Sequence, residues 1–170
     1  MENTYSLDIS DDSITLELQT GKSNFAVNVV LAIAILAFLI PVAVLLFIVG
    51  LGGGFSFGFL FTLVLFWGTG VFLLRLGLWN KYGREVFIFS KRLFIHYNDY
   101  KYFKDNYKET ECTQIEVAEA FYIDEENNNS EEATFLVLLD GDETLYSRKK
   151  IPVSLIKEIN EKVIKLNKIY

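Results

Sequence analysis

The sequence contains few of the residues that usually perform catalysis, bind metals or form disulfides. Cys112 is its single cysteine and His96 its single histidine. A lone cysteine excludes an internal disulfide, and a lone histidine without a cysteine pair lacks the ligand spacing of a zinc site. No catalytic triad has a recognisable spacing, and the glycine run at 52–54 does not follow a strand as a phosphate-binding loop does. We therefore expect structural roles for Cys112 and His96, with no metal, no cofactor and no enzymatic activity.

Positive charge is also scarce. Lys and Arg number 16 against 22 Asp and Glu, which gives a formal net charge of −6. Because phosphate backbones are bound by basic surfaces, this balance argues against nucleic acid as a partner. The acids concentrate in residues 124–132, where the spaced ligands and turn glycine of a calcium loop are missing. We expect that segment to be a solvated loop.

Two long stretches of the chain have no charged residue at all. Residues 25–49 are interrupted only by Asn28 and Pro41, and residues 55–74 contain no Asp, Glu, Lys or Arg. Each is long enough to cross about 30 Å of hydrocarbon at about 1.5 Å per residue. A soluble helix of this length would carry a polar face, and neither stretch has one. The sequence predicts a transmembrane hairpin over 25–79, with helices at 25–49 and 55–79 and a glycine-rich turn at 50–56.

Basic residues flank the outer ends of this hairpin and are absent from its turn. Lys22 precedes the hairpin. Arg75, Lys81, Arg84, Lys91 and Arg92 lie at its other end or just after it. The positive-inside bias assigns that side to the cytoplasm. We predict a multi-pass protein of the cell (inner) membrane, with the lipid bilayer as a partner and both termini cytoplasmic. The side chains expected at the membrane interface are Arg75, Trp79, Lys81, Tyr82 and Arg84.

Small residues in the two hydrophobic segments indicate close helix packing. Gly58, Gly68 and Gly70 lie in the second segment, and alanines at 32, 34, 37 and 43 lie in the first. Such residues let helix backbones approach each other in a membrane. We expect these glycines to pack the two helices together; packing against a second copy, as a homo-oligomer, is the alternative.

The N-terminal region, residues 1–24, has the alternating pattern of a β-hairpin. Tyr5, Leu7 and Ile9 alternate with polar residues, a turn follows at 10–13, and alternation resumes with apolar residues at 14, 16 and 18. An isolated hairpin is marginally stable in water, so it needs a sheet to join. We expect it to pack on a cytoplasmic β domain at 80–170, with the helices inserted between the two parts of one domain.

The C-terminal region changes to strand patterning and ends in a helix. Predicted strands lie at 85–90, 93–97, 115–121, 135–139 and 144–147, with weaker ones at 100–103 and 108–112. A terminal helix is expected at about 153–168, because Leu155, Ile159, Val163 and Leu166 share one face. Together with the hairpin, this predicts a membrane protein of α+β class.

One soluble stretch, residues 97–108, combines five aromatic residues with three lysines. Such side chains can stack on a ligand, grip a peptide or lie against anionic lipid headgroups. The alternative is a β-hairpin whose aromatics enter the core while the lysines coat its surface. Arg148, Lys149 and Lys150 form a second basic run, read either as a membrane-facing patch or as a solvated strand end. The candidate binding residues are Tyr100, Lys101, Tyr102, Phe103, Lys104 and Tyr107.

The order of these elements resembles the bacterial membrane-anchored PH-like proteins often labelled YcxB-like. The resemblance covers a short N-terminal β segment, two transmembrane helices, the sequence Leu-Trp-Asn-Lys-Tyr-Gly-Arg-Glu-Val at 78–86, several strands and a helix after Ile151 and Pro152. It implies a PH-like antiparallel β-barrel or sandwich closed by the C-terminal helix. It also implies a scaffold or binding module held at the cytoplasmic membrane.

The function expected from these features is that of a non-enzymatic, membrane-anchored binding or scaffold protein. Its ligand would be another membrane protein or anionic lipid headgroups. One alternative is an accessory subunit of a transporter or other membrane complex, associating through the helical hairpin. A second is a lipid-modifying enzyme with its site between Arg75 and His96, which predicts that substitution of His96 abolishes turnover.

Overall fold

The computed structural model describes residues 5–19, 24–54, 56–120 and 132–167. The chain divides into two compact units. Met1–Thr20 and Arg84–Tyr170 form the first, here called the β unit, and Gly21–Gly83 forms the second, here called the helical unit. The α+β class and the two long apolar helices predicted from the sequence are confirmed.

The helical unit consists of α1 (Phe25–Gly50) and α2 (Phe57–Tyr82). Each helix begins after a capping side chain that satisfies an otherwise unpaired backbone amide. The Asn24 side chain accepts a hydrogen bond from Val27 N at 2.9 Å, and the Ser56 hydroxyl accepts one from Phe59 N at 3.2 Å. The first residue of each helix is therefore determined by the capping residue just before it in the sequence.

Glycine ends α1 by a backbone motif that satisfies its last carbonyls. Gly52 adopts a φ of +76°, which a residue with a Cβ rarely adopts. Its amide donates to Val49 O, and the Gly53 amide donates to Ile48 O. These two bonds are those of a Schellman motif. The reversal predicted at 50–56 is thus a helix end built on Gly52; Phe55 lies outside the described residues.

Small residues allow α1 and α2 to pack as an antiparallel pair. A Cβ placed on Gly77 would lie 2.5 Å from Leu31 Cδ2, and one on Gly70 would lie 3.0 Å from a ring carbon of Phe38. The buried residues of α1 include Ala34 and Ala37, whereas most of its large side chains point outward. The seam is therefore narrow and lined by small residues, as in helix pairs packed within a membrane.

Both helices are long and apolar enough to cross a membrane. In their most apolar windows only 17% and 6% of the residues are buried within the structure. A core helix of a soluble protein would be mostly buried instead. α2 runs to Tyr82, beyond the predicted end at 79, and the Gly83 amide donates to Trp79 O at its last turn.

The first sheet of the β unit has five antiparallel strands in the order of the chain. The N-terminal hairpin supplies two of them, and β2 pairs with β3 along its whole length, from Ser13 opposite Ser90 to Gln19 opposite Arg84. The sheet thus continues across the 63-residue helical unit inserted between these strands. Its strands are β1 (Tyr5–Ile9), β2 (Ser13–Gln19), β3 (Arg84–Ser90), β4 (Leu93–Asp99) and β5 (Lys104–Glu111).

The second sheet contains β6 (Ile115–Ala120), β7 (Glu132–Leu139) and β8 (Asp142–Tyr146), with the short β9 (Ile151–Pro152) paired to β7. The helix α3 (Val153–Asn167) follows and packs mainly on β6. Asp140 and Gly141 form the turn before β8, both with positive φ. Residues 121–131, which include most of the predicted acidic loop, lie outside the described part of the chain.

The core of the β unit lies between the two sheets and α3. Strand alternation directs Leu16 of β2 and Phe87 of β3 inward, where they join Phe135 of β7 and Ile159 of α3, all fully buried. The hydrophobic face predicted for the terminal helix is therefore its core face. In the described residues the strands form open antiparallel sheets, and a closed PH-like barrel is not shown.

Candidate binding surface

The predicted binding stretch forms the turn between β4 and β5, not a strand. The weak strand predicted at 100–103 is wrong because Lys101 takes a φ of 74° and reverses the chain. The Tyr100 amide donates to Phe103 O at 3.0 Å, and the Lys101 amide donates to the Asp99 carboxylate at 2.7 Å. The aspartate thus closes the turn with its side chain, as is typical of Asx turns.

The aromatic residues of this turn are divided between the interior and the surface. Tyr100 is only 5% exposed, and its ring stacks on Phe103 with centroids 4.5 Å apart. Tyr102 is 68% exposed and Phe103 is 40% exposed. The buried tyrosine therefore anchors the turn while its two neighbours present aromatic surface outward. The aromatics of this hairpin thus lie partly in the interior, as Tyr100 does, and partly on the surface, as Tyr102 does.

A second aromatic group lies on the outer face of the same hairpin. The rings of Tyr97 and Tyr107 stack with centroids 6.1 Å apart, and Lys104 Nζ lies 4.2 Å from the Tyr97 ring centroid. Tyr107 is 57% exposed. Its hydroxyl donates to Glu109 at 2.8 Å, and this hydrogen bond raises the pKa of Tyr107. A bulge marked by the positive φ of Asn106 brings Tyr107 onto this face.

Strand register places the turn at one particular end of the five-stranded sheet. Gln19 pairs with Arg84, Arg84 with Asp99, and Asp99 with Lys104. Since β2 precedes the helical unit and β3 follows it, both connections to that unit leave from this end. We call it the linker end. The opposite end, here called the far end, carries Ser13, Ser90, Leu93 and Glu111.

The basic run after β8 also reaches the linker end. Lys149 Nζ donates to the carbonyl of Gln19 at 2.6 Å, and the Arg148 amide donates to the Glu85 carboxylate at 3.1 Å. Lys150 follows in sequence and is exposed. This segment was read from the sequence either as a membrane-facing patch or as a strand end. Its hydrogen bonds bring it beside the two strands that connect to the helical unit.

The residues predicted at the membrane interface are spread over both units. Lys81 Nζ donates to the Asn28 side chain at 2.8 Å and lies 5.4 Å from the Tyr82 ring centroid, so it closes the open end of the helical hairpin. Arg75 is exposed on α2, and Trp79 lies in its last turn. Arg84 instead begins β3 and forms an ion pair with Glu17 at 3.1 Å.

The three glycines predicted for helix packing have different surroundings. Gly70 lies against Ala37 and Phe38 of α1, whereas a Cβ on Gly58 or Gly68 would meet no atom within 4 Å. Gly77, which the sequence analysis missed, makes the closest approach to α1. Its leucine-rich surroundings gave no signal, since only the register of the two helices identifies it as an interface residue.

A buried polar pair in the β unit was also missed. His96 is 4% exposed and Glu85 1% exposed, and His96 Nε2 lies 3.1 Å from Glu85 Oε1. The other oxygen of Glu85 accepts from the Arg148 amide at 3.1 Å. The pair is thus buried, and the hydrogen bond to Arg148 connects it to the basic run at 148–150. Asn98, fully buried and paired with Glu85 across the strands, has no side-chain hydrogen-bond partner in the described structure.

Cys112 lies at the far end, beside the turn that precedes β6. Burial raises the pKa of its thiol, and the charge of Asp140 raises it further. Hydrogen bonds from the Thr113 hydroxyl and the Gln114 and Thr113 amides lower the pKa of Asp140. The cysteine therefore stays a neutral thiol at physiological pH. Among the described residues, no group of three His, Cys, Asp or Glu side chains could hold a metal ion.

Comparison with known proteins does not assign the chain to a family. A scan against protein-family models and a search of curated proteins find no match to the chain. The candidate function therefore rests on the placement of the exposed aromatic and basic side chains.

Proposed function

We propose that this chain is a non-enzymatic, membrane-anchored binding module. In this proposal α1 and α2 cross the cell membrane as a hairpin, and the β unit lies on the cytoplasmic face with both termini. The exposed part of the β4–β5 turn is its binding surface. The nine strands found in the described residues and the helix that follows them support the resemblance to membrane-anchored PH-like proteins, which we retain as part of the proposal.

The observation that carries this proposal is the pairing of β2 with β3. These strands flank the two apolar helices in sequence, so the helical hairpin leaves one folded unit and returns to it. If the helices cross the bilayer, both of their connections must therefore lie on the same side. The basic residues Lys81 and Arg84 adjoin the returning connection, which favours the cytoplasm for that side.

The turn supports a binding role because it exposes aromatic surface to solvent. Tyr102 is 68% exposed and contributes nothing to the buried core. Tyrosine is enriched at binding surfaces because its ring buries a large apolar area while its hydroxyl keeps a hydrogen-bond partner. Lys101 Nζ lies 5.6 Å from the Tyr102 ring centroid, so the surface is cationic as well as aromatic.

Photo-crosslinking in native membranes tests this function. The full chain would carry p-benzoylphenylalanine in place of Tyr102, with a matched chain carrying it in place of Asp11 in the β1–β2 turn at the far end. We expect an adduct from position 102 and little or none from position 11, and mass spectrometry distinguishes a lipid adduct from a protein adduct. Equal yields at the two positions, or none at either, would contradict the proposed binding surface.

A second candidate function is that of an accessory subunit that associates through its helices. It is favoured by an apolar groove of about 380 Å³ on the helical unit and by the open surroundings of Gly58 and Gly68. Association that survives the loss of Tyr102 but not the substitution of Gly68 by leucine would favour this alternative. The groove is lined by Ile33, Leu36, Ala37, Ile40, Leu65, Phe66, Thr69 and Leu73.

A further inference from the structure

The linker end of the β unit has a charge opposite to that of the protein as a whole. Lys101 and Lys104 are exposed in and beside the turn, and Arg148 and Lys149 reach the same end through their hydrogen bonds. Within the described strands of the first sheet, four acids lie near this end. Glu17 and Asp99 bond to Arg84 and to the turn backbone, Glu85 is buried, and Asp105 is half-buried next to Lys104 in β5.

The far end has the opposite balance. Its turns carry Asp11, Asp12 and Asp140, and β5 ends there in Glu111. Lys91 and Arg92 lie in the turn between β3 and β4 at the same end, and Lys91 forms an ion pair with Asp12 at 3.2 Å. The acids named here still outnumber these bases. The chain has a formal net charge of −6, yet its linker end carries several exposed basic residues. Both connections to the helical unit leave from that end.

We propose that the linker end docks onto anionic lipid headgroups, with Tyr102 and Phe103 entering the interfacial layer. This inference rests on the proposed membrane anchoring and names the ligand of the same surface. Tyrosine prefers the headgroup region because its apolar ring and its polar hydroxyl are both satisfied there, and the adjacent Phe103 adds apolar surface. Lysines next to them add electrostatic attraction to anionic lipids.

Chain geometry makes this docking accessible to an anchored protein. Neighbouring strands lie about 4.8 Å apart, so Lys104 is two strands, about 10 Å, from Arg84 across the sheet. Only Gly83 separates Arg84 from the last residue of α2 in the sequence. A chain whose α2 crosses the bilayer therefore holds this sheet end within reach of the headgroups. The exposed lysines and tyrosine of this end match anionic headgroups in charge and polarity, which is why we favour the lipid surface over a protein partner.

Fluorescence quenching in nanodiscs tests the docking with the full chain. Trp67 and Trp79 are changed to Phe, and Tyr102→Trp supplies the single reporter; its exposure means that the core is not disturbed. The discs contain phosphatidylcholine brominated on its acyl chains, with or without about one third phosphatidylglycerol. We expect tryptophan at 102 to be quenched more strongly in the anionic discs, and tryptophan in the matched chain with Asp11→Trp to be unaffected.

Charge-removing variants separate lipid docking from a general effect of charge. K101Q with K104Q, made in the Tyr102→Trp chain, should shift the equilibrium from docked to undocked about 30-fold, since each lysine near an anionic surface contributes about fivefold. The matched pair K162Q with K165Q removes the same charge from α3 and should leave quenching unchanged.

Two results would overturn the inference. One is quenching at position 102 that is the same in neutral and anionic discs, and the other is quenching that persists after both lysines are removed. A protein adduct in the crosslinking experiment would also overturn lipid docking while leaving the anchored binding module intact. Failure of the chain to enter nanodiscs would instead refute the membrane anchoring on which both proposals depend.

Discussion

Most of the described phenylalanines of the β unit are buried, whereas most of those of the helical unit are exposed, with Phe103 of the β4–β5 turn as an exception. In the β unit, Phe87, Phe89, Phe94 and Phe135 are completely buried. In the helical unit large apolar side chains point outward, and Phe57 is 85% exposed, while its buried positions include alanine and glycine. Water drives apolar side chains inward, whereas hydrocarbon removes that drive and leaves close packing to hold helices together. This difference between the units is the one expected if α1 and α2 cross a membrane, as proposed above.

The largest effect that would distinguish the two units is the loss of a buried ring. We expect Phe87→Ala to destabilise the β unit by about 3–5 kcal/mol, because it leaves a cavity under both sheets. The matched change Phe61→Ala removes a ring that is 62% exposed in α2 and should leave the β unit unaffected. Denaturant titration in detergent, followed by hydrogen exchange of β3 and β4 amides, measures both. Equal destabilisation by the two variants would remove the distinction.

Substitutions of the buried pair Glu85 and His96 test how strictly the core of the β unit excludes water. We expect His96→Leu to cost about 1–3 kcal/mol, because Glu85 Oε1 loses its partner while remaining buried. Adding Glu85→Leu should restore only part of that stability, since it removes the unpaired Glu85 Oε1 but also the oxygen that accepts from the Arg148 amide. The same hydrogen-exchange measurement applies. If the single variant were as stable as the original chain, the pair would have no structural role.

The interface between α1 and α2 should not tolerate a larger side chain at Gly77. We expect Gly77→Leu to destabilise the helical pair by about 1–3 kcal/mol, because even its Cβ would overlap Leu31. Gly68→Leu adds the same side chain where nothing lies within 4 Å and serves as the control. Unfolding by a denaturing detergent, followed by the fluorescence of Trp67 and Trp79, compares them. A loss of stability in the Gly68 variant alone would place the interface on the other face of α2.

A smaller effect is expected at the open end of the helical hairpin. Lys81→Met removes the hydrogen bond to Asn28 and should cost about 0.5–1.5 kcal/mol, the usual net value of one such bond. Asn28→Leu should have a similar effect, and the double variant should be no worse than either single one. Additive losses in the detergent titration would mean that the two residues act independently.

The sequence was most informative where one physical signal dominated. Uncharged runs predicted two helices, alternation predicted the strand that includes Leu16, and a short apolar run predicted the strand that includes Phe87. It failed at 100–103 because Tyr and Phe favour strands, and nothing in the local pattern indicates that Lys101 adopts a positive φ. Glu85 and His96 are 11 residues apart, so their contact follows from strand register and not from spacing. The exposure of Tyr102 likewise depends on where the turn falls.

The most direct test of the central claim asks whether the helical hairpin crosses a membrane. Single cysteines at Gly54, in the turn between α1 and α2, and at Asp11, in the β unit, would be introduced with Cys112→Ala. Sealed vesicles of one orientation are then treated with a membrane-impermeant maleimide. The account predicts that only one of the two positions reacts until the vesicles are opened. Reaction of both positions in sealed vesicles would contradict it.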